Sequence, residues 1–208
     1  HNYAYSISEG MRPYTTTIFG TSCGLVRREV FDRLKGFNEA YRKADIEDYE
    51  FGRVLMRCGL PTLADPTIQV DHHFPTWGRN ARIYFRRARL WMRLFFQDGN
   101  FDDPHTGTSA AEGFGTGFAV LSALMLVLRG PWPAKIALAA LCAAAFVLCN
   151  QRFFQYSLRE GGFRWTAYCV TMHFVMSFVI AAGVAQALAA FLWEQVRPPR
   201  AGEAGPAR

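Results

Sequence analysis

The sequence predicts two unlike halves: a soluble part in which strands and helices alternate, and then a membrane part built from helices. Most of the charged residues come before about residue 112, and the last hundred residues are rich in Ala, Val, Leu and Phe. The mean hydropathy of +0.01 is therefore an average of a polar half and an apolar half. With 208 residues, the chain has room for one domain of ordinary size and an appendage.

Charge and cysteine content narrow the class of partner. The net charge of +6 and the pI of 9.3 would suit nucleic acid, but the aromatic-rich apolar segments favour a membrane. We therefore expect a membrane partner and no nucleic acid. The five cysteines contain no CxxC pair, and three of them lie in apolar segments, so they predict neither a disulfide framework nor a zinc knuckle.

Two segments carry strand signals. β-branched and aromatic residues at 14–19 predict a strand that ends at Gly20, and residues 67–70 predict another. Small residues follow the first strand, where a backbone can approach a ligand closely: Gly20, Thr21, Ser22, Cys23 and Gly24. These five residues form either part of a binding site or a tight turn between strands.

Two segments carry helix signals. Apolar residues at helical spacing predict a helix over 27–34, which Gly36 ends. The same spacing predicts a second helix over 46–57, with Asp45 as its N-terminal cap and Gly59 at its end.

Four carboxylates lie within six residues where the second helix begins: Asp45, Glu47, Asp48 and Glu50. Asp45 and Asp48 have the spacing of a capping box, and the helix dipole favours acidic residues in a first turn. A cap needs fewer acids than this, and like charges repel one another unless a cation or a ligand lies nearby. Spacing alone favours a cap and leaves catalysis open.

Four short motifs follow one another between about residues 15 and 75. They are Gly24-Leu25-Val26-Arg27-Arg28-Glu29-Val30-Phe31, Gly36-Phe37-Asn38-Glu39, Glu47-Asp48-Tyr49-Glu50-Phe51-Gly52 and Val70-Asp71-His72-His73. In this order and spacing they resemble the C-terminal half of a family 2 glycosyltransferase catalytic domain. The resemblance implies an α/β fold class for residues 1–78, as the C-terminal half of a GT-A domain.

The resemblance also implies chemistry. Family members transfer a sugar from a nucleotide sugar donor with inversion, and Asp48, with Glu47 beside it, stands at the position of the catalytic base. Members commonly use Mg2+ or Mn2+, which an Asp-x-Asp motif binds, and a downstream histidine, here His72 or His73, can help to bind the metal. Adjacent residues on a strand point to opposite faces, so only one of the two histidines can join the site, and both can instead be packing residues. Residues 20–24 are then expected on the acceptor side.

The sequence departs from the family pattern in two respects. No Asp-x-Asp motif precedes Gly20, and the chain begins at His1 in the middle of a pattern, so we expect a fragment that lacks the nucleotide-binding half. Processive members carry a Gln-x-x-Arg-Trp motif. The Arg-Trp pair here is Arg164-Trp165, but Gly161 occupies the position of the glutamine, so the motif is not present. We therefore expect one sugar to be transferred per acceptor.

Residues 79–111 predict an amphipathic helix and a linker. Such a helix lies in the headgroup region of a membrane, with its rings inserted and its guanidinium groups on anionic phosphates. The alternative is a surface helix packed on its own domain. The residues expected at the membrane surface are Arg82, Arg86, Arg89, Arg93 and Trp91.

Residues 112–196 predict a transmembrane region with about three helices, near 112–129, 132–150 and 165–193. His173 lies inside the third helix, where it is expected to contact a lipid phosphate or to pack between helices. The tail at 197–208 is expected to be disordered.

Together these features predict a membrane-anchored transferase of cell-envelope glycan or glycolipid synthesis, with a lipid-linked or polyprenyl-phosphate acceptor. We expect a multi-pass protein of the inner (cytoplasmic) membrane, with the catalytic part facing the cytoplasm, where nucleotide sugars are made. Two alternatives stay open: a similar transferase with a soluble acceptor, and a non-catalytic membrane scaffold protein.

Overall fold

The computed structural model describes residues 12–41, 45–68, 75–98 and 110–196, and within these ranges the chain is mainly helical. Two short strands and six helices follow one another: β1 (Tyr14–Thr16), α1 (Arg28–Arg33), α2 (Glu47–Arg57), β2 (Thr62–Ala64), α3 (Trp77–Asp98), α4 (Ala110–Val127), α5 (Trp132–Cys149) and α6 (Gln151–Val196).

The predicted α/β fold class is wrong for the described residues. β1 and β2 have three residues each and pair antiparallel, with Tyr14 opposite Ala64 and Thr16 opposite Thr62. An α/β domain instead needs a mostly parallel sheet with helices on both faces, and the described residues contain no such sheet. The expectation of a GT-A half-domain is withdrawn with it.

Local packing explains why the strand signals gave so little sheet. The segment predicted as a strand over 14–19 leaves the pairing after Thr16, because the backbone of 17–19 passes directly over Gly52 of α2. At the second predicted strand, Asp65 closes a turn, in which its carboxylate accepts bonds from the Thr67 N–H (2.9 Å) and hydroxyl (2.7 Å). Residues 69–70, the end of that predicted strand, lie outside the described residues.

The two predicted helices of the first part are confirmed, including how they end. Gly36 has a φ of 66° and donates its N–H to the Phe31 carbonyl (2.9 Å), and Gly59 has a φ of 70°. A left-handed residue after the last turn is a common helix stop, and glycine adopts it without a steric penalty. α1 and α2 therefore end where the glycines in the sequence predict.

The part of the chain before α3 has a small core of phenylalanine rings, which come from α1, α2 and the loops that follow β1 and α1. Phe19, Phe31, Phe37 and Phe51 have ring centroids 5.1–6.2 Å apart in tilted or edge-on contacts, and Leu55 packs with them. Such pairs are favoured beyond the burial of their area. This core fixes the C-terminal half of α2.

α3 packs along the second half of α6, and the two helices run in the same direction. A Cβ atom on Gly183 would lie 2.5 Å from the Phe85 carbonyl oxygen and 3.0 Å from the Ala88 Cβ, so the glycine permits a close approach. Farther along, the rings of Phe96 and Phe191 stack with centroids 4.5 Å apart.

α4 and α5 form an antiparallel hairpin against which α6 folds. The Ser122 hydroxyl donates to the Ala139 carbonyl (3.1 Å) across the hairpin, and Phe146 packs on Phe154. The rings of Phe154 and His173 are 5.8 Å apart although 19 residues separate them, a distance that a straight helix would not allow. The break lies at Gly162 (φ 69°, ψ −173°), so the predicted third span begins after a reversal.

Two of the described helices, α5 and α6, are long and apolar enough to cross a membrane, and α4 carries a shorter apolar segment, Ala111–Val127. Only 17% of the apolar window of α5 or α6 is buried, whereas a core helix of a soluble protein would be mostly buried. Large apolar side chains such as Leu141 and Leu148 are well exposed. The membrane prediction is supported to this extent, and the tail at 197–208 lies outside the described residues.

Candidate functional site

The candidate site is the acidic start of α2, which a loop of small residues faces. Asp48 is the second residue of α2 and is half-buried. One of its carboxylate oxygens accepts a bond from the Tyr49 N–H (2.8 Å), and the other accepts a long bond from the Thr21 hydroxyl (3.3 Å). The helix dipole favours a carboxylate at this position. Asp48 is therefore hydrogen-bonded to Thr21 of the small-residue loop, 27 positions earlier in the sequence.

The small-residue loop at 20–24 is a turn, but it leads from β1 to α1 and does not join two strands as predicted. The Cys23 N–H donates to the Gly20 carbonyl (3.3 Å), and all five residues are exposed. A Cβ on Gly24 would lie 2.6 Å from the Gly20 oxygen and 3.0 Å from the Phe19 ring, so only glycine fits. The turn also presents Thr21 to Asp48, which leaves the predicted acceptor-side role open.

Gly52 sets how closely α2 approaches the segment that leads into this turn. A Cβ at Gly52 would overlap the Thr17 carbonyl oxygen and lie 2.8 Å from the Phe19 nitrogen. The backbone of 17–19 therefore lies on the helix surface one turn after Asp48. This contact holds Thr21 near the first turn of α2.

The prediction that Asp45 caps α2 is wrong. Ile46 occupies the N-cap position, and no side chain caps the helix. The Asp45 carboxylate is instead buried and forms a salt bridge with Arg86 of α3, while the Asp45 N–H donates to Glu47 (2.7 Å). Two aromatic rings support this junction, because Tyr49 packs on Trp91 with centroids 3.9 Å apart. The first turn of α2 is thus fixed by α3.

Glu50 belongs to a polar cluster on another side of α2. Its carboxylate accepts bonds from the Asn38 side-chain amide (3.1 and 3.3 Å) and from the Tyr41 hydroxyl. Burial, together with the negative charge and hydrogen bond of Glu50, raises the pKa of Tyr41 to about 12. Glu50 therefore holds the loop before α2 in place.

Three of the four acids are thus engaged in bonds that hold the chain together, whereas Asp48 is bonded to the exposed turn. An ionised carboxylate offers only acceptor sites, and it can take up a proton or orient a hydroxyl group. Asp48 is consequently the acid of this group that is best placed for chemistry. Glu47, predicted as its partner in catalysis, bonds to the backbone of Asp45.

No metal site is formed by the described residues. Among them, no group of three or more His, Cys, Asp or Glu side chains is placed to hold an ion. His72 and His73, which the sequence offers as metal ligands, lie outside the described residues. The described side chains do not by themselves fit an Mg2+ or Mn2+ site, and no chemical step is derived through such an ion.

The basic face of α3 contacts protein at several of its predicted membrane-surface residues. Arg86 pairs with Asp45, Arg93 lies 3.7 Å from Glu194, and Trp91 packs on Tyr49. Arg82 donates its Nε–H to the Gly78 carbonyl of its own helix (3.3 Å), and Arg89 is half-buried. The alternative of a helix packed on its own domain therefore has support at two positions, Arg86 and Trp91.

Sequence reasoning missed the Asp45–Arg86 pair. The two residues are 41 positions apart, and no local spacing connects them. The signal available was charge complementarity alone: an acidic helix start and a basic helix face within one chain.

No family model matches the chain, and neither a curated protein nor a solved structure was found to be similar to it.

Proposed function

We propose that this chain belongs to a membrane-anchored inverting glycosyltransferase, in which Asp48 acts on the acceptor of the sugar. The observation that carries the proposal is the placement of Asp48 between the exposed turn at Thr21 and the start of α2. The motif resemblance assigns the same residue, and the proposal does not depend on a GT-A fold.

For an inverting sugar transfer, the group required from this site is the Asp48 carboxylate. In an inverting transfer, the acceptor oxygen attacks the anomeric carbon as the bond from that carbon to the nucleotide diphosphate breaks. Asp48 takes the proton of an acceptor hydroxyl during the attack, and the electron pair of the broken bond leaves with the diphosphate. If the acceptor is a phosphate, its oxygen already carries charge, and Asp48 orients it rather than deprotonates it.

The connection to the membrane supports a lipid-linked acceptor. The Asp45–Arg86 pair fastens the first turn of α2 to α3, and α3 packs along α6, one of the two apolar helices of spanning length. Asp48 is therefore held on a helix that is linked to the membrane part of the chain. We place this site at the cytoplasmic face of the inner membrane, because nucleotide sugars are made in the cytoplasm.

A non-catalytic scaffold is the second candidate. The bonds of Asp45, Glu47 and Glu50 favour it, because each of these acids already serves to hold loops and helices together. In that case Asp48 would serve only to fix the turn at Thr21.

Labelled nucleotide sugars test the proposal. Membranes containing the protein expressed from its native gene would be supplied with Mg2+ or Mn2+, extracted lipids and each common nucleotide sugar, and then extracted. Label in the organic phase supports the lipid-linked acceptor, and label in the aqueous phase supports a soluble acceptor. No transfer with any donor supports the scaffold.

The matched pair of variants is Asp48→Asn and Asp32→Asn. Asp32 is exposed on α1 and pairs only with Arg28 of its own helix (3.5 Å) among the described residues. Asp48→Asn should abolish transfer and leave the protein folded, while Asp32→Asn should keep it. Near-normal transfer by Asp48→Asn contradicts the proposed role.

A further inference from the structure

A groove between α3 and α6 lies beside the close contact at Gly183. Its volume of about 440 Å³ is in the size range of pockets that hold small ligands. The residues that line it are Ala81, Arg82, Phe85, Phe178, Val179 and Ala182.

The groove arises from the packing of the two helices. The helices approach closely where Gly183 meets Phe85, and the small side chains of Ala81, one turn before Phe85, and Ala182, next to Gly183, leave space between them. The walls formed by Phe85 and Val179 are apolar. Arg82 is the one charged side chain among the described residues that line the groove.

Arg82 differs from the other arginines on its face of α3. Arg86 pairs with Asp45 and Arg93 with Glu194, whereas no carboxylate in the described part of the chain pairs with Arg82. Its Nε–H is used within its own helix, to the Gly78 carbonyl, and the side chain is exposed. The terminal guanidinium nitrogens can therefore donate to an anion at the rim of the groove, and they match the oxygens of a phosphate.

The wall formed by Phe178, Val179 and Ala182 belongs to α6, one of the two helices that are long and apolar enough to cross a membrane. An apolar ligand in the bilayer would reach this wall laterally without passing through water. A phosphate with an attached acyl chain has the two properties that the groove offers, an anion for Arg82 and apolar length for the walls.

We propose that the groove binds an anionic phospholipid, with one acyl chain between Phe85 and Val179 and the phosphate on Arg82. The residues that line the groove do not include Asp48, and the proposal requires no transferase activity. Its occupant fills the gap between α3 and α6 and so completes their interface.

Photo-crosslinking tests the lipid site directly. The full chain in vesicles would be exposed to phosphatidylglycerol or phosphatidylcholine that carries the same photoreactive acyl chain, and the adducts would be mapped by mass spectrometry. We expect adducts within 81–85 and 178–182. Phosphatidylglycerol should give about fivefold more of them, the factor expected for one arginine near an anionic headgroup.

Two variants distinguish the contact with the lipid headgroup from the contact with the acyl chain. Arg82→Gln should reduce the phosphatidylglycerol adducts to the phosphatidylcholine level, and Ala182→Phe should reduce the adducts of both lipids because it fills the groove. The controls are Arg87→Gln, at an exposed position of α3, and Leu141→Phe, at an exposed position of α5, and neither should change the adducts. Circular dichroism checks that each variant is folded.

Three outcomes would overturn the proposal. Equal labelling by the two lipids in the wild type would show that the headgroup is not recognised. Adducts spread evenly over α3, α4, α5 and α6 would show general contact with the bilayer. A dimer that Ala182→Phe dissociates, with unchanged lipid adducts, would show that a second copy of the chain covers the groove.

Discussion

The Asp45 carboxylate of the segment before α2 and the Arg86 guanidinium of α3 form a largely buried salt bridge. The Asp45 side chain is 10% exposed and that of Arg86 31%. This bridge is a polar link between the acidic start of α2 and the helix that packs on α6. Its geometry decides how the candidate site is held relative to the membrane part.

Removing one partner of this bridge should destabilise the protein. Asp45→Ala removes the Asp45 carboxylate from the partly buried Arg86 charge, and breaking a fully buried pair costs about 3–5 kcal/mol. Because Arg86 is partly exposed, solvent screening reduces our expectation to about 1–3 kcal/mol. Denaturant unfolding in detergent, followed by tryptophan fluorescence, measures the loss.

The control for this experiment is Asp32→Ala, which removes the exposed pair of Asp32 with Arg28 on α1. It should change the free energy of unfolding by no more than about 0.5 kcal/mol, as exposed helical pairs do. Equal effects of Asp45→Ala and Asp32→Ala would contradict the buried character of the bridge.

Because the pKa of Tyr41 is raised, we expect the protein to lose stability at high pH. Its pKa in the folded protein is raised to about 12 from an ordinary value of 10. A raised pKa means that the folded state holds the proton more tightly, so the contribution is fully present below about pH 10 and is lost as the pH rises towards 12. The free energy of unfolding, measured from pH 10 to pH 12, should decline in the wild type. Tyr41→Phe should reduce this decline, and Tyr84→Phe should not. The ultraviolet absorbance of tyrosinate should show one late-titrating group missing in Tyr41→Phe.

Gly52→Ala should push α2 away from the backbone that leads to the Thr21 turn. The added methyl group would overlap the Thr17 carbonyl oxygen, and overpacking of this kind costs about 1–3 kcal/mol. Gly78→Ala in α3 is the matched control, because its Cβ would have nothing within 4 Å. That change should be neutral or stabilising by up to about 1 kcal/mol, since alanine is the better helix former. A melting temperature for each variant decides the comparison.

The Thr21 hydroxyl should tune the activity of Asp48. Thr21→Val removes the donor to the Asp48 carboxylate and keeps the shape, so we expect transfer to fall by about tenfold or less, the effect of one hydrogen bond. Thr21→Ser keeps the hydroxyl and should restore most of the rate. The loss should appear in kcat with KM little changed, if the bond orients the carboxylate during the reaction. Equal rates for Thr21→Val and wild type would show that this bond has no part in the chemistry.

Helix ends were predictable from the sequence because their signals are local. Gly36 and Gly59 each follow the last apolar residue of a helical pattern, and a residue with positive φ at that place is a helix stop that depends on nothing distant. The apolar segments of α5 and α6 were equally readable, since hydropathy and length need no tertiary information.

The sheet and the salt bridge were not predictable for the opposite reason. β1 could have extended to Phe19 by propensity, but packing of 17–19 on Gly52 prevents it, and that contact spans more than thirty residues of sequence. Asp45 has a residue type and position typical of a cap, yet Arg86 offers its carboxylate a stronger partner. In both places a tertiary contact prevailed over a local preference.

The reversal at Gly162 leaves a single unbroken helix from Phe163 to Val196, about 50 Å long. Near one end, His173 of this rod packs on Phe146 of the hairpin, and near the other end Glu194 lies 3.7 Å from Arg93 of α3. Because this helix is continuous and has contacts near both ends, a change in its tilt also moves the elements that it contacts. Helices respond to bilayer thickness by tilting, so a thicker or thinner membrane would displace α3 and, through Arg86, the first turn of α2. We therefore expect the position of Asp48 to respond to membrane thickness.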